Sequence, residues 1–242
     1  MSTVKVNTIS PDDPTQDLTL GASGDTVTLP GNDLRVNTVK DKGGNTLWTS
    51  DGSGNISSVN AGLKGNLILL NTNTFTAAAS SSFTTLIDST YDVYIFKFIN
   101  IHAVTTDLGV NFFFQTSTDG GSSYGVTATT TYFGADNSES GSGYLQYIAS
   151  GDLAQSTSYQ RLTQALGNIA DESTVGEIYL FNPSSTTYVK HFYTRCQGYG
   201  FGNTADDMYA AGYFNTTTAI NAIDFKMGSG TFDGTIKMYG LS

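Results

Sequence analysis

The sequence predicts an all-β chain in two parts: an extended, β-rich N-terminal arm with short repeats over residues 1–74, and a C-terminal antiparallel β-sandwich or jelly-roll domain over residues 75–242. Three observations predict this. Of 29 aromatic residues, 28 lie after residue 74, while the first 74 residues hold Trp48 alone and three of the four prolines. Each Phe or Tyr can bury about 150–250 Å², so the second part is able to build a core and the first is not. Val, Ile, Tyr and Phe also recur in short runs between Gly, Asn and Asp clusters, which is the pattern of strands and turns rather than of a disordered chain.

In the arm, Val4-Lys5-Val6-Asn7-Thr8-Ile9 returns thirty residues later as Leu34-Arg35-Val36-Asn37-Thr38-Val39. Leu18-Thr19-Leu20 and Val27-Thr28-Leu29 flank the turn at 21–25, much as Thr46-Leu47-Trp48 and Ile56 flank the turn at 50–55. Each copy reads as short alternating strands broken by turns. Two copies are too few to bury a continuous solenoid core, which usually takes about three or more repeats. The arm therefore needs other chains, or else remains a tail.

In the head, strand runs are predicted at residues 83–87, 91–101, 109–116, 126–133, 144–148, 176–181, 188–196, 208–214, 222–227 and 234–241. So many short strands with turns between them indicate two packed sheets. Residues 156–170 are ambiguous. Leu162, Leu166 and Ile169 have helical spacing, yet 161–166 also alternates and Gly167-Asn168 is a turn signal.

Lys and Arg total 11 against 21 Asp and Glu, a net charge of -10, of which -2 falls in residues 1–74 and -8 in the remainder. Such a surface repels phosphate backbones and anionic lipid, so nucleic-acid and membrane partners are not expected. The head's charge also disfavours anionic polysaccharide but suits neutral glycans or a merely soluble surface. With Cys196 as the one cysteine and two histidines, neither an internal disulfide nor a Cys-based zinc site can form. No apolar run approaches the roughly 20 residues that span a bilayer, and residues 1–9 lack a signal-peptide apolar stretch, so a soluble, unprocessed product of the cytoplasm is expected.

Several motifs resemble known proteins. The opening Met1-Ser2-Thr3-Val4-Lys5-Val6-Asn7-Thr8-Ile9 is similar to the start of virion proteins of marine and cyanobacterial tailed phages. Phe114-Gln115-Thr116-Ser117-Thr118-Asp119-Gly120-Gly121, Leu180-Phe181-Asn182-Pro183-Ser184-Ser185 and the ending 225–241 resemble small phage appendage domains. The resemblance implies a homotrimeric fibre or decoration, anchored at its N-terminus to other virion proteins and facing outward with its C-terminal β domain.

The candidate chemistry is sparse. Residues 117–124 fit an Asp-box hairpin, in which the Asp satisfies backbone groups of its own turn. Asp51, Ser53 and Asn55 alternate like the first ligands of a calcium loop, but the Gly and distal Glu that complete one are missing. Asp206-Asp207 and Asp171-Glu172 are carboxylate pairs of the type glycoside hydrolysis uses, although adjacent acids in a loop tend to diverge. His102 and His191 accompany no nucleophile elbow, so no triad is expected. The loop 197–209 is the best ligand candidate. Tyr199, Phe201 and Tyr209 provide flat apolar faces for a pyranose ring, and Asp206 and Asp207 provide acceptors for its hydroxyls; the competing reading packs Tyr199 and Phe201 under the loop or into a trimer interface.

The expectation is thus a non-enzymatic virion protein without cofactor, a homotrimer that exposes its head for attachment to a host-surface glycan. The alternatives are a capsid decoration or head-fibre protein without ligand, and a polysaccharide depolymerase.

Overall fold

A computed structural model describes residues 36–60, 66–105 and 109–241 of the 242. The chain divides into two compact units, 1–64 and 65–242. The first copy of the thirty-residue echo and the prolines at 11, 14 and 30 lie outside the described residues.

In the first unit, β1 (Thr38–Lys40), β2 (Thr46–Ser50) and β3 (Ile56–Val59) form an antiparallel meander. Val39, Trp48 and Val59 lie side by side across it. Both turns use one device. Asp41 accepts from the Asn45 backbone N–H at 2.8 Å and from its side-chain amide at 3.0 Å. Asp51 accepts from the N–H groups of Ser53 and Asn55 at 2.7 and 3.1 Å and from the Asn55 amide at 2.9 Å. Four residues separate donor from acceptor in each loop, so the carboxylate closes its own turn. None of residues 36–60 is buried, as expected of a segment with so little apolar area to hide.

The second unit is a two-layer antiparallel sandwich, the all-β fold expected of the head. Its large sheet holds β4 (Leu67–Ala78), β6 (Val93–Ala103), β8 (Ala128–Ser138), β9 (Gly143–Tyr147), β11 (Ser173–Phe181), β12 (Lys190–Gly200), β13 (Thr204–Phe214) and β15 (Phe232–Leu241). They run side by side in the order β4-β15-β6-β11-β12-β13-β8-β9. The small sheet holds β5 (Ser81–Phe83), β7 (Phe112–Ser117), β10 (Gln160–Arg161) and β14 (Ala222–Met227), in the order β10-β7-β14-β5.

The expected boundary after residue 74 shifts to 64/65. Asn71-Thr72-Asn73-Thr74 reads as a polar break, but these residues pair with β15 from Met238 to Thr235. They belong to an edge strand, where Thr72 and Thr74 are exposed and the Asn73 amide donates to the Ser81 hydroxyl and the Ser82 carbonyl at 3.2 and 3.1 Å. The ambiguous segment 156–170 is extended rather than helical. It contributes the two residues of β10 and an isolated bridge between Val110 and Leu166, with Leu162 and Leu166 buried and Ile169 60% exposed.

Period-two alternation builds the core. Phe96, Phe98, Ile178, Leu180, Phe192, Ile236 and Met238 face inward from the large sheet, while Phe112, Phe114, Ile223 and Phe225 face them from the small one, all essentially buried. Phe225 meets the rings of Phe83, Phe96, Phe98, Phe112 and Phe114 at centroid separations between 5.3 and 6.4 Å. A smaller cluster of Tyr132, Met208 and Ala210 fills the space toward β8. Gly176 lies mid-strand in β11 because a Cβ there would stand 2.5 Å from the Arg195 carbonyl and 2.7 Å from the Cys196 sulfur.

The turn after β7 confirms the Asp-box expectation in its local geometry. Asp119 Oδ1 accepts from the Ser117 hydroxyl at 2.6 Å and from the Ser123 N–H at 2.9 Å, and Oδ2 accepts from the Ser123 hydroxyl at 2.6 Å. Gly120 and Gly121 take the positive φ angles of 73° and 88° that the loop requires.

Two stability outcomes follow from this architecture. Phe225→Ala removes the ring shared by both sheets and is expected to cost about 3–5 kcal/mol in a denaturant titration, with an undiminished midpoint as the contrary result. The Ser117 and Ser123 hydrogen bonds hold the Asp119 carboxyl down to about 2, below its ordinary 3.8. The stabilisation it gives is therefore present above pH 3.8 and lost as pH falls through 2. Asp119→Ala is expected to lower the melting temperature at pH 7, with the gap to the parent closing toward pH 2.

Candidate functional site

The four strands of the small sheet lie against one face of the large sheet, and the other face is outward. Alternation assigns its residues. β12 turns Tyr193, Arg195 and Gln197 outward and Phe192, Thr194 and Cys196 inward. In β6, Lys97 and Ile99 are outward and Phe96 and Phe98 inward.

Strand register aligns these outward side chains into rows across the sheet. One row runs from Thr72 in β4 through Lys237, Lys97, Glu177, Arg195, Tyr209 and Phe133 to Tyr147 in β9. From Lys237 to Arg195 it is charged, and its last three residues are aromatic. Lys97 Nζ donates to Glu177 Oε2 at 3.0 Å. Arg195 Nε and Nη2 donate to Asp207 Oδ1 and Oδ2 at 3.0 and 2.9 Å, a forked pair that fixes the guanidinium. The same guanidinium lies 5.4 Å from the centroid of Tyr209, which stacks on Phe133 at 5.1 Å with 5° between the planes. The next row sets Tyr239, Ile95, Tyr179 and Tyr193 side by side, and the rings of Tyr179 and Tyr193 stack at 4.7 Å.

Over the charged row is a groove of about 340 Å³, lined by Lys97, Ile99, Val175, Glu177, Arg195 and Lys237. Two register irregularities meet beside it. One lies in the β11–β6 pairing between Thr174 and Gly176, and the other in the β15–β6 pairing between Asp233 and Thr235. Asn100 takes a φ of 50° at this point. Bulges sharpen the local twist and re-aim the side chains beside them.

The five residues of the expected ligand loop separate. Tyr199 and Phe201 are at the tip of the β12–β13 hairpin, where the Tyr199 hydroxyl donates to Asn203 Oδ1 at 3.0 Å and Phe201 is 48% exposed. Asp207 and Tyr209 are on the outward face, joined to each other by a 3.0 Å hydrogen bond. Asp206 points the opposite way and is 7% exposed, since neighbours on a strand face opposite sides. Its cross-strand partners are Gly198 and Asp136. The Asp206-Asp207 pair therefore does not converge on one groove. The acids at 171 and 172 also part company: Asp171 is exposed, while Glu172 is buried and accepts from the Ile169 N–H at 3.0 Å.

Cys196 is fully buried, and desolvation pushes its thiol well above its ordinary range, which suits packing rather than nucleophilic chemistry. His102 Nε2 is 3.2 Å from the Ile169 carbonyl, and the ring of the exposed His191 lies 6.3 Å from that of Tyr213. Among the described residues no three His, Cys, Asp or Glu side chains gather as a metal site would require. The Asp51 carboxylate is committed to its own turn.

The residues missed in the sequence are Lys97, Ile99, Val175, Arg195 and Lys237. Each is an outward position in an alternating strand, a signal that marks exposure but not which strands become neighbours.

Burial, with a smaller contribution from the Asp136 carboxylate, raises the Asp206 carboxyl to about 6 from its ordinary 3.8. The folded state thus holds this proton more tightly than the unfolded chain. Its stability contribution is full below pH 3.8 and lost as pH rises through 6. Asp206→Asn is expected to stabilise the head by on the order of 2 kcal/mol at pH 8, and to have little effect at pH 3.5. Melting curves at the two pH values check this; an equal effect at both would contradict it.

Comparison with protein-family models, curated proteins and solved structures finds no match for this chain.

Proposed function

We propose that the chain is a non-enzymatic structural protein of a tailed-phage virion, a homotrimer that docks through its N-terminal part and presents the β head outward for contact with host-surface carbohydrate. The observation that carries this reading is the contrast between the two units. None of residues 36–60 is fully buried, so the first unit calls for partners, whereas the head closes its own aromatic core. The short motifs similar to phage appendage proteins supply the class of assembly. Carbohydrate contact is favoured by the outward face of the large sheet, whose stacked rings alternate with hydrogen-bonding side chains. Flat rings beside acceptors suit the apolar faces and hydroxyls of a sugar. Three heads on one particle-bound trimer add avidity to weak individual contacts where the geometry lets them bind together.

The experiment has two arms. Sedimentation of the full chain is expected to give three times 25.7 kDa, and a mass of one chain in both the soluble and the particle-released protein overturns the trimer. Removal of residues 1–64 is expected to leave a head with an unchanged melting temperature that no longer enters particles. A head that fails to fold, or that still incorporates, overturns the division of labour, and absence of the full chain from purified particles overturns the virion assignment.

A further inference from the structure

The head is acidic, with 14 Asp and Glu against six Lys and Arg, yet its cations are not spread evenly. Lys190 is completely buried, its ammonium donating to the Tyr188 and Thr216 carbonyls at 3.2 and 3.1 Å. Arg161 and Lys226 lie over the rings of Tyr132 and Tyr159, at 5.8 and 4.0 Å from the centroids. The remaining three, Lys97, Arg195 and Lys237, all line the one groove on the outward face.

Two of these three are answered within the protein, Lys97 by Glu177 and Arg195 by Asp207. Lys237 has no ion-pair partner among the described residues. It stands directly opposite Lys97 across the β15–β6 ladder, and like charges facing each other across strands are destabilising. The groove therefore carries one positive charge in excess. Beside the lysines, Ile99 and Val175 form an apolar floor, 39% and 41% exposed, with Gln197 and Tyr239 at its margins.

We propose that this groove binds the carboxylate of an acidic saccharide, a uronic-acid residue of a glycan. Lys237 and Lys97 receive the carboxylate, Ile99 and Val175 receive an apolar face of the sugar ring, and Gln197 and Tyr239 meet its hydroxyls. A saccharide fits better than an acidic peptide strand, because β15, β6 and β11 are each paired on both sides and leave no backbone edge for strand addition. The proposal rests on the carbohydrate-contact reading above and narrows it to a charged ligand, against the neutral one that net charge alone favours.

The test titrates the full-length protein calorimetrically, at low salt, with tri-galacturonate, with the same trimer as its methyl ester, and with hexaglutamate. The acid form is expected to bind at least about tenfold more tightly than either comparator, Lys237→Thr to weaken it about tenfold, and Lys237→Arg to retain it. Melting curves of both variants establish that they are folded, and the Arg variant separates a lost charge from a disturbed strand. Equal binding of acid and ester, with Lys237→Thr unaffected, overturns the acidic site while leaving carbohydrate contact standing. Tighter binding of hexaglutamate overturns the saccharide, and binding of neither trimer overturns the groove as a glycan site. The particle-incorporation experiment judges the virion reading independently.

Discussion

Phe225 lies where the two sheets of the head meet, in contact with Phe96 and Phe98 of the large sheet and with Phe112 and Phe114 beside it in the small one. The rest of the head depends on that contact. Strand pairing alone makes two ribbons, each with an apolar face, and neither is stable until the face is covered. The aromatic layer fixes which face of the large sheet is inward, and so which residues are left outward. A one-residue slip in any long strand would exchange the two sets.

The two sheets are unequal, with four strands against eight. The remaining inner surface is closed by other means. Tyr132, Met208 and Ala210 pack with Ile148. Gln160 links Thr130 at 2.6 Å to the Gly151 carbonyl at 3.0 Å, which ties the extended segment over β8. Leu162 and Leu166 bring that segment into the main core. It runs extended rather than helical because its polar groups find partners across the sandwich, as in the hydrogen bond from the Phe112 N–H to the Thr163 hydroxyl at 3.0 Å. Local spacing is ambiguous there because tertiary partners decide the outcome.

Polar chemistry near the chain's turns is spent on the turns themselves. Asp41, Asp51 and Asp119 each close a loop onto the residue four positions on, and their carboxyls are held below the ordinary value by those hydrogen bonds. Acids that look like ligands in the sequence are thus committed to the backbone. Asp206 is the opposite case, an acid buried beside another acid, and its ionisation weakens the head at neutral pH.

The all-β class, most strand positions and the two-part organisation were legible in the sequence, because alternation, turn residues and aromatic content act over a few residues at a time. The Asp119 turn was legible for the same reason, since donor and acceptor are four residues apart, whereas Asp51 resembled a calcium ligand. The groove was not. Lys97, Glu177, Arg195 and Lys237 are scattered over 140 residues of chain and become neighbours through the order β15-β6-β11-β12 and its register. Net charge, a property of the sequence, reports an acidic head. Where the few cations gather was decided by long-range strand pairing, which no local pattern encodes.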